Sequence, residues 1–230
     1  MNQPPLILFG LLVTFAFSWY GIAVKSYVDF GQSMTAIYQK SGYPLPRPGT
    51  AQQGLQVYRA NGCAACHTMQ VRGKGHGSDI DWGWGKRHSV AQDFLQDNPA
   101  MVGSVRIGPD LMNIGARQAS EDWHLLHLYN PRLTVERSNM PRYPYLFEKR
   151  KRRGAPSSDA LKLPAGTAPT GYEIVPSAEA RSLVAYLLNL QADAPLFEAP
   201  MPRSKTNAVA LAGTNAPAPA TNSLGGKEGK

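Results

Sequence analysis

A chain of 230 residues with 43% hydrophobic residues and only two cysteines can build a core unaided, which excludes a disulfide framework as its organising principle. The formal net charge of +8 leaves nucleic acid, anionic lipid or an acidic protein as electrostatic partners. The excess is concentrated, because Lys149, Arg150, Lys151, Arg152 and Arg153 form one unbroken run.

In chain order, Leu6 to Val24, "LILFGLLVTFAFSWYGIAV", contains no charge. With Pro4 and Pro5 it reaches the roughly 20 residues that cross a bilayer core of about 30 Å. Trp19 and Tyr20 stand where an interfacial aromatic belt belongs, and Lys25 follows. A cleaved signal peptide is the rival. The start "MNQPP" has no basic n-region and no small-x-small site follows the run, so residues 1–30 are expected to stay as an anchor in the lipid bilayer. Residues 31–50 read as a linker broken by Pro44, Pro46 and Pro48. A compact domain is expected over 51–194. Its first helix, "AQQGLQVYRANG" (51–62), is closed by Gly62. Residues 70–118 are loop-rich, with Trp82 and Trp84 among glycines and a helix near 89–97. "SEDWHLLHLYNP" (120–131) reads as a helix capped by Ser120 and ended by Pro131. Residues 149–175, basic and then rich in Gly, Pro and Ala, read as an exposed loop. "PSAEARSLVAYLLNL" (176–190) is the best helix, with Ser177 as cap and Ala180, Leu183, Val184, Leu187 and Leu188 on one face. The composition of 195–230, above all 203–230, is that of a disordered tail. The fold expected is mostly α: a single N-terminal transmembrane helix, then a helical domain with long loops.

Both cysteines fall in "NGCAACHTMQ" (61–70), as Cys63-Ala-Ala-Cys66-His67. A structural zinc site needs four ligands, and only three are present. A thioredoxin-like pair needs a strand before the first cysteine, and no hydrophobic strand precedes Cys63. A disulfide across so short a loop adds little stability. Covalent haem attachment uses every part of the pattern: both thiols bond the two vinyl groups of one haem c, and the next histidine turns onto the iron.

The sixth iron ligand is sought among Met69, Met101, Met112, Met140, His76, His88, His124 and His127. Met69 is too close along the chain to reach the opposite haem face. Met101 and Met112 suit ordinary packing. Met140 stands in "SNMPRYP", held by Pro141 and Pro144 and flanked by polar residues, and is the expected ligand beside His67. In "IGPDL" (107–111), Gly108 and Pro109 form a rigid turn, and the Pro109 carbonyl can accept the second N–H of the axial histidine. A plain surface turn is the alternative. Arg106 and Arg117 flank the turn and can pair with haem propionates. His124 and His127 lie three apart on one helix face and are expected to be structural. The run 149–153 reads as a solvated loop, or as a contact for an acidic partner or anionic headgroups.

"GLQVYRANGCAACH" and "EARSLVAYLLNL" resemble the two packed terminal helices of class I cytochromes c. Gly54 would then allow close approach, and Tyr58 and Tyr186 would meet at the crossing. More narrowly, "HSVAQDFLQDNPAMVGSVRIGPDLMNIGAR" and "WHLLHLYNPRLTVERSNMPRYPYL" resemble the mono-haem cytochrome c subunit (subunit II, FixO/CcoO type) of cbb3-type haem–copper oxidases. The resemblance implies one haem c ligated by His67 and Met140. It implies a plasma-membrane anchor with the haem domain on the periplasmic side. The implied partners are a catalytic haem–copper oxidase subunit, a further cytochrome c subunit and a soluble or membrane-bound electron donor, with no nucleic acid. The chain would carry electrons rather than act as an enzyme on its own. A free-standing membrane-anchored cytochrome and a haem-based sensor are the alternatives.

Overall fold

The computed structural model describes residues 3–29 and 43–201. The tail expected over 203–230 and the first part of the linker, 31–42, lie outside these residues.

The apolar run forms helix α1 (Pro4–Trp19), which continues through a π-type turn over Tyr20–Lys25 and a last helical turn to Asp29. Pro4 sits at the helix start, where its missing N–H has no partner to lose. The span Pro4–Asp29 is 26 residues long and its apolar part is not buried, so it is long and apolar enough to cross a membrane. The Thr14 hydroxyl donates to the Gly10 carbonyl at 2.9 Å, which satisfies it within the helix.

The domain is built on the crossing of α2 (Gly49–Ala60) and α5 (Ala178–Asn189). Gly54 makes the approach possible: a Cβ there would overlap the Ser182 carbonyl. Tyr58 and Tyr186 meet edge to face with centroids 5.4 Å apart, and both are fully buried. Short α3 (Ile114–Arg117) packs on the end of α5, where Gly115 lies against the Leu188 carbonyl and donates to Leu190 O at 3.1 Å. Helix α4 (Glu121–Tyr129) begins where Ser120 Oγ accepts from Trp123 N at 3.2 Å. Ser177 Oγ caps α5 in the same way through Ala180 N. Each side chain satisfies one of the orphan amides of a helix start.

Two regions differ from the sequence expectation. In place of a helix near 89–97 there is one 3-10 turn, Ala91–Phe94. Asp93 takes both the Val90 amide and the buried Arg87 guanidinium, which fixes a tight turn and stops a helix from propagating. The stretch 149–175 is an exposed loop only in its middle. Its ends are two antiparallel strands, β1 (Phe147–Lys151) and β2 (Tyr172–Pro176), with Phe147 opposite Pro176 and Lys151 opposite Tyr172. β2 buries Ile174 and Val175 while β1 keeps Glu148 to Lys151 in solvent. Neither strand alternates apolar and polar residues, so the pair has no period to detect.

Residues 43–48 are fastened to the domain. The Tyr43 hydroxyl donates to Asp93 Oδ1 at 2.7 Å. Arg47 pairs with Asp97 in a buried bridge and lies over the Tyr186 ring.

Candidate haem site

Helix α2 stops at Gly62, whose φ of +66 lies in the left-handed region that suits glycine. The chain turns at once into the 3-10 turn Cys63–Ala65, closed by Cys66 N to Cys63 O at 3.1 Å and His67 N to Cys63 O at 3.0 Å. Two free thiols and an imidazole therefore leave one tight turn, all partly buried. Burial pushes the Cys63 thiol up to about 11.

The His67 ring is gripped from one side. Its Nδ1 lies 2.8 Å from the Pro109 carbonyl oxygen. A carbonyl only accepts, so Nδ1 carries the proton and Nε2 keeps its lone pair. Desolvation holds the imidazole below its ordinary pKa, against the opposing pull of the Pro109 bond and Asp110. Gly108 donates to Cys66 O at 2.9 Å, and a Cβ on it would run into the imidazole ring. Gly103, at φ +79, leaves no room for a Cβ against the His67 carbonyl. Leu111 N to Thr68 O at 2.7 Å and Met69 N to Val102 O at 2.8 Å close the wall.

Of the methionines considered, three are accounted for by packing. Met69 is buried and accepts from the Tyr186 hydroxyl at 3.4 Å. Met101 accepts from Arg59 Nε at 3.4 Å, and Met112 is buried in the core. Met140 is half-buried against that core. Its amide donates to Ser138 Oγ at 3.2 Å, and its thioether takes no hydrogen bond among the described residues. Tyr143 N to Leu128 O at 2.9 Å ties the same segment to α4.

His124 is buried, with Nε2 on the Gln118 carbonyl at 2.8 Å. His127 stacks on Trp123 with centroids 4.6 Å apart. Its Nδ1 is 2.5 Å from Thr134 Oγ1, whose own proton goes to Pro131 O. His127 therefore donates through Nδ1. Burial, then the neighbouring His124 and His67, hold it down to about 4. Among the described residues no group of three or more His, Cys, Asp or Glu is placed to hold a metal ion.

Arg106, expected beside a propionate, directs all three of its nitrogens into the protein: Nε to Thr68 Oγ1 at 2.8 Å, Nη1 to Asp79 Oδ1 at 2.6 Å and Nη2 to Gln70 O at 2.5 Å. Arg117 donates to the Asp110 carbonyl and makes no ion pair among the described residues. In the basic run, Arg150 is paired with Asp159 and Glu173, and Lys149 lies over Tyr172. Sequence reasoning missed Asp79, Thr68 and Asp110. Asp79 and Asp110 are fully buried carboxylates. Neither spacing nor composition marks them among the exposed acids around them.

The donor set suits a covalently attached haem. Two thiols share a turn with an imidazole whose Nε2 is available, Gly108 lies close against that ring, and the half-buried Met140 thioether takes no hydrogen bond among the described residues. A family model described as the cytochrome c oxidase mono-haem subunit, FixO, matches residues 33–163. No curated protein matches the chain.

Proposed function

The chain belongs to the FixO family of mono-haem cytochrome c oxidase subunits, and we propose that it carries electrons through one haem c to the catalytic haem–copper subunit of a cbb3-type oxidase. Cys63 and Cys66 would hold the haem through thioether bonds, and His67 Nε2 and Met140 Sδ would ligate its iron. The group supplies a one-electron couple, which a thioether ligand shifts toward Fe(II) relative to an imidazole. The chain's own part is positioning. Pro109 fixes the His67 tautomer and ring plane, and Gly108 lets the backbone lie against that ring. Arg117, without an ion-pair partner among the described residues, would offer its positive charge to a propionate. Helix α1 would anchor the chain in the plasma membrane with the haem domain on the periplasmic side. Oxygen reduction would take place in the partner subunit, beside a further cytochrome c subunit and with a soluble or membrane-bound donor.

The observation that carries this reading is the single turn Cys63–His67 with Nδ1 tied to Pro109 O. The test is Met140→His in the detergent-solubilised chain. The variant should keep a six-coordinate low-spin haem, lose the near-infrared methionine-to-iron band and show a lower midpoint potential. Survival of both the band and the potential would move the ligand away from Met140.

A further inference from the structure

The glycine- and tryptophan-rich segment 73–85 has no part in the site as described so far, yet it delivers a carboxylate to that site's wall. Asp79 has no exposed surface and sits between two arginines. It accepts from the Arg72 amide at 2.7 Å, from Arg72 Nη2 at 3.1 Å and from Arg106 Nη1 at 2.6 Å. Arg106 in turn holds Thr68 Oγ1 and the Gln70 carbonyl, and its guanidinium lies 5.4 Å from the centroid of Trp84. Thr68 donates to Asp110 Oδ2 at 2.6 Å, which also accepts from Gln70 N at 2.7 Å. Asp110 directly follows Pro109, whose carbonyl orients His67. The segment itself is docked, with Trp84 N on Asp79 O at 2.8 Å and Trp84 O on Asn113 Nδ2 at 3.2 Å.

We propose that Asp79 is a positioning residue for the axial imidazole: through Arg106 it clamps residues 68–70 to the turn 106–112, and so sets the plane of His67. This rests on the haem reading above. A buried carboxylate between two guanidiniums is a geometric lock, because the planar forks of Arg72 and Arg106 fix its oxygens from two directions. The clamp is also charge-balanced, with Arg72 and Arg106 against Asp79 and Asp110. Loss of the Asp79 charge leaves a net positive charge beside the site, which favours the reduced iron.

The experiment compares the wild type with Asp79→Asn, Asp79→Glu and Arg106→Lys in the full chain. Three readouts are taken: midpoint potential, the hyperfine-shifted haem methyl pattern in the oxidised state, and hydrogen exchange of the Gly108 and Leu111 amides. Asp79→Asn should raise the potential, change the methyl pattern and speed exchange at both amides by tenfold or more. Asp79→Glu should return the potential toward wild type. Arg106→Lys keeps the charge and loses the fork, so it should alter the methyl pattern and exchange while leaving the potential near wild type. A lower melting point in Asp79→Asn with all three readouts unchanged would make Asp79 merely structural and overturn the proposal. If Asp79→Asn does not fold, an unchanged methyl pattern in Arg106→Lys overturns it as well. Failure of the haem reading shows separately, as a wild type without covalent haem. Exchange at Gly108 and Leu111 still tests the clamp in that protein.

Discussion

On the His67 side, hydrogen bonds tie the cysteine turn to a distant stretch of chain: Gly108 to Cys66, Leu111 to Thr68, Met69 to Val102 and Ser104 to Ala64. On the Met140 side, the bonds at Ser138 and Met140 are local. Two hydrogen bonds, His127 to Thr134 and Tyr143 to Leu128, and the Arg142 guanidinium over the Tyr129 ring link residues 134–143 to α4 among the described residues. Local opening costs roughly what the broken contacts held, so the two proposed ligand segments are built with unequal resistance to motion. His67, the proposed proximal ligand, is held by the fold. The methionine is held by a strip of chain stiffened by Pro141 and Pro144.

The largest expected effect is therefore on the proximal side. Gly108→Ala places a Cβ into the His67 ring, an overpacking defect of about 3 kcal/mol in a wall with little freedom to shift. Covalently bound haem per chain should fall several-fold and the melting point should drop. Met140→Ala should leave chain yield and covalent haem near wild type while the low-spin spectrum is lost. Equal losses of haem in the two variants would break the comparison.

Acid should sharpen it next. His127 titrates at about 4 in the fold, against an ordinary value of 6.5. Between those values the unfolded chain binds more protons than the folded one, so stability falls as pH drops from about 6.5 toward 4. The full shift corresponds to about 3 kcal/mol, which screening of the partly exposed ring reduces to the order of 2 kcal/mol. The added proton goes to Nε2 and leaves the Nδ1 bond to Thr134 in place; what it disfavours is the buried position of the ring beside His124 in α4, the helix to which residues 134–143 are tied. The methionine-to-iron band should fade with acid before covalently held, His67-ligated haem is perturbed, and His127→Gln should flatten that pH profile. The same acid midpoint in both proteins would remove His127 from the account.

The smallest effect is Ser177→Ala, which removes the cap of α5 and should cost about 1 kcal/mol in urea unfolding. Because α5 packs on α2 and not on either ligand's segment alone, the spectrum should not change. A spectral shift in this variant would mean that the two faces are coupled through α5.

Much of this was legible in the residues. Ser120 and Ser177 cap the helices they precede, Gly54 marks the closest approach of α2 and α5, and Cys63–His67 form one tight turn as their spacing suggests. Each of those signals is local, or repeats with the period of a helix. The parts not legible depend on long-range contacts. Asp93 looks like an ordinary first-turn acid, yet it turns inward to Arg87 and ends the helix. Arg106 reads as a propionate partner, and nothing near it in sequence shows that Thr68, Gln70 and Asp79, 27 to 38 positions earlier, accept from its nitrogens. β1 is charged along most of its length, so it carries no apolar face to read.

The fastening at Tyr43 and Arg47 has a kinetic consequence. It makes residues 30–42 the only chain left between α1 and the domain. However those residues are arranged, at roughly 3.5 Å each they span at most about 50 Å. With α1 in a bilayer, the domain would be leashed to that surface within a radius of this order. For a redox partner in the same complex, encounter would become intramolecular, with an effective concentration on the order of millimolar. Electron delivery between the two would then be first order and indifferent to dilution.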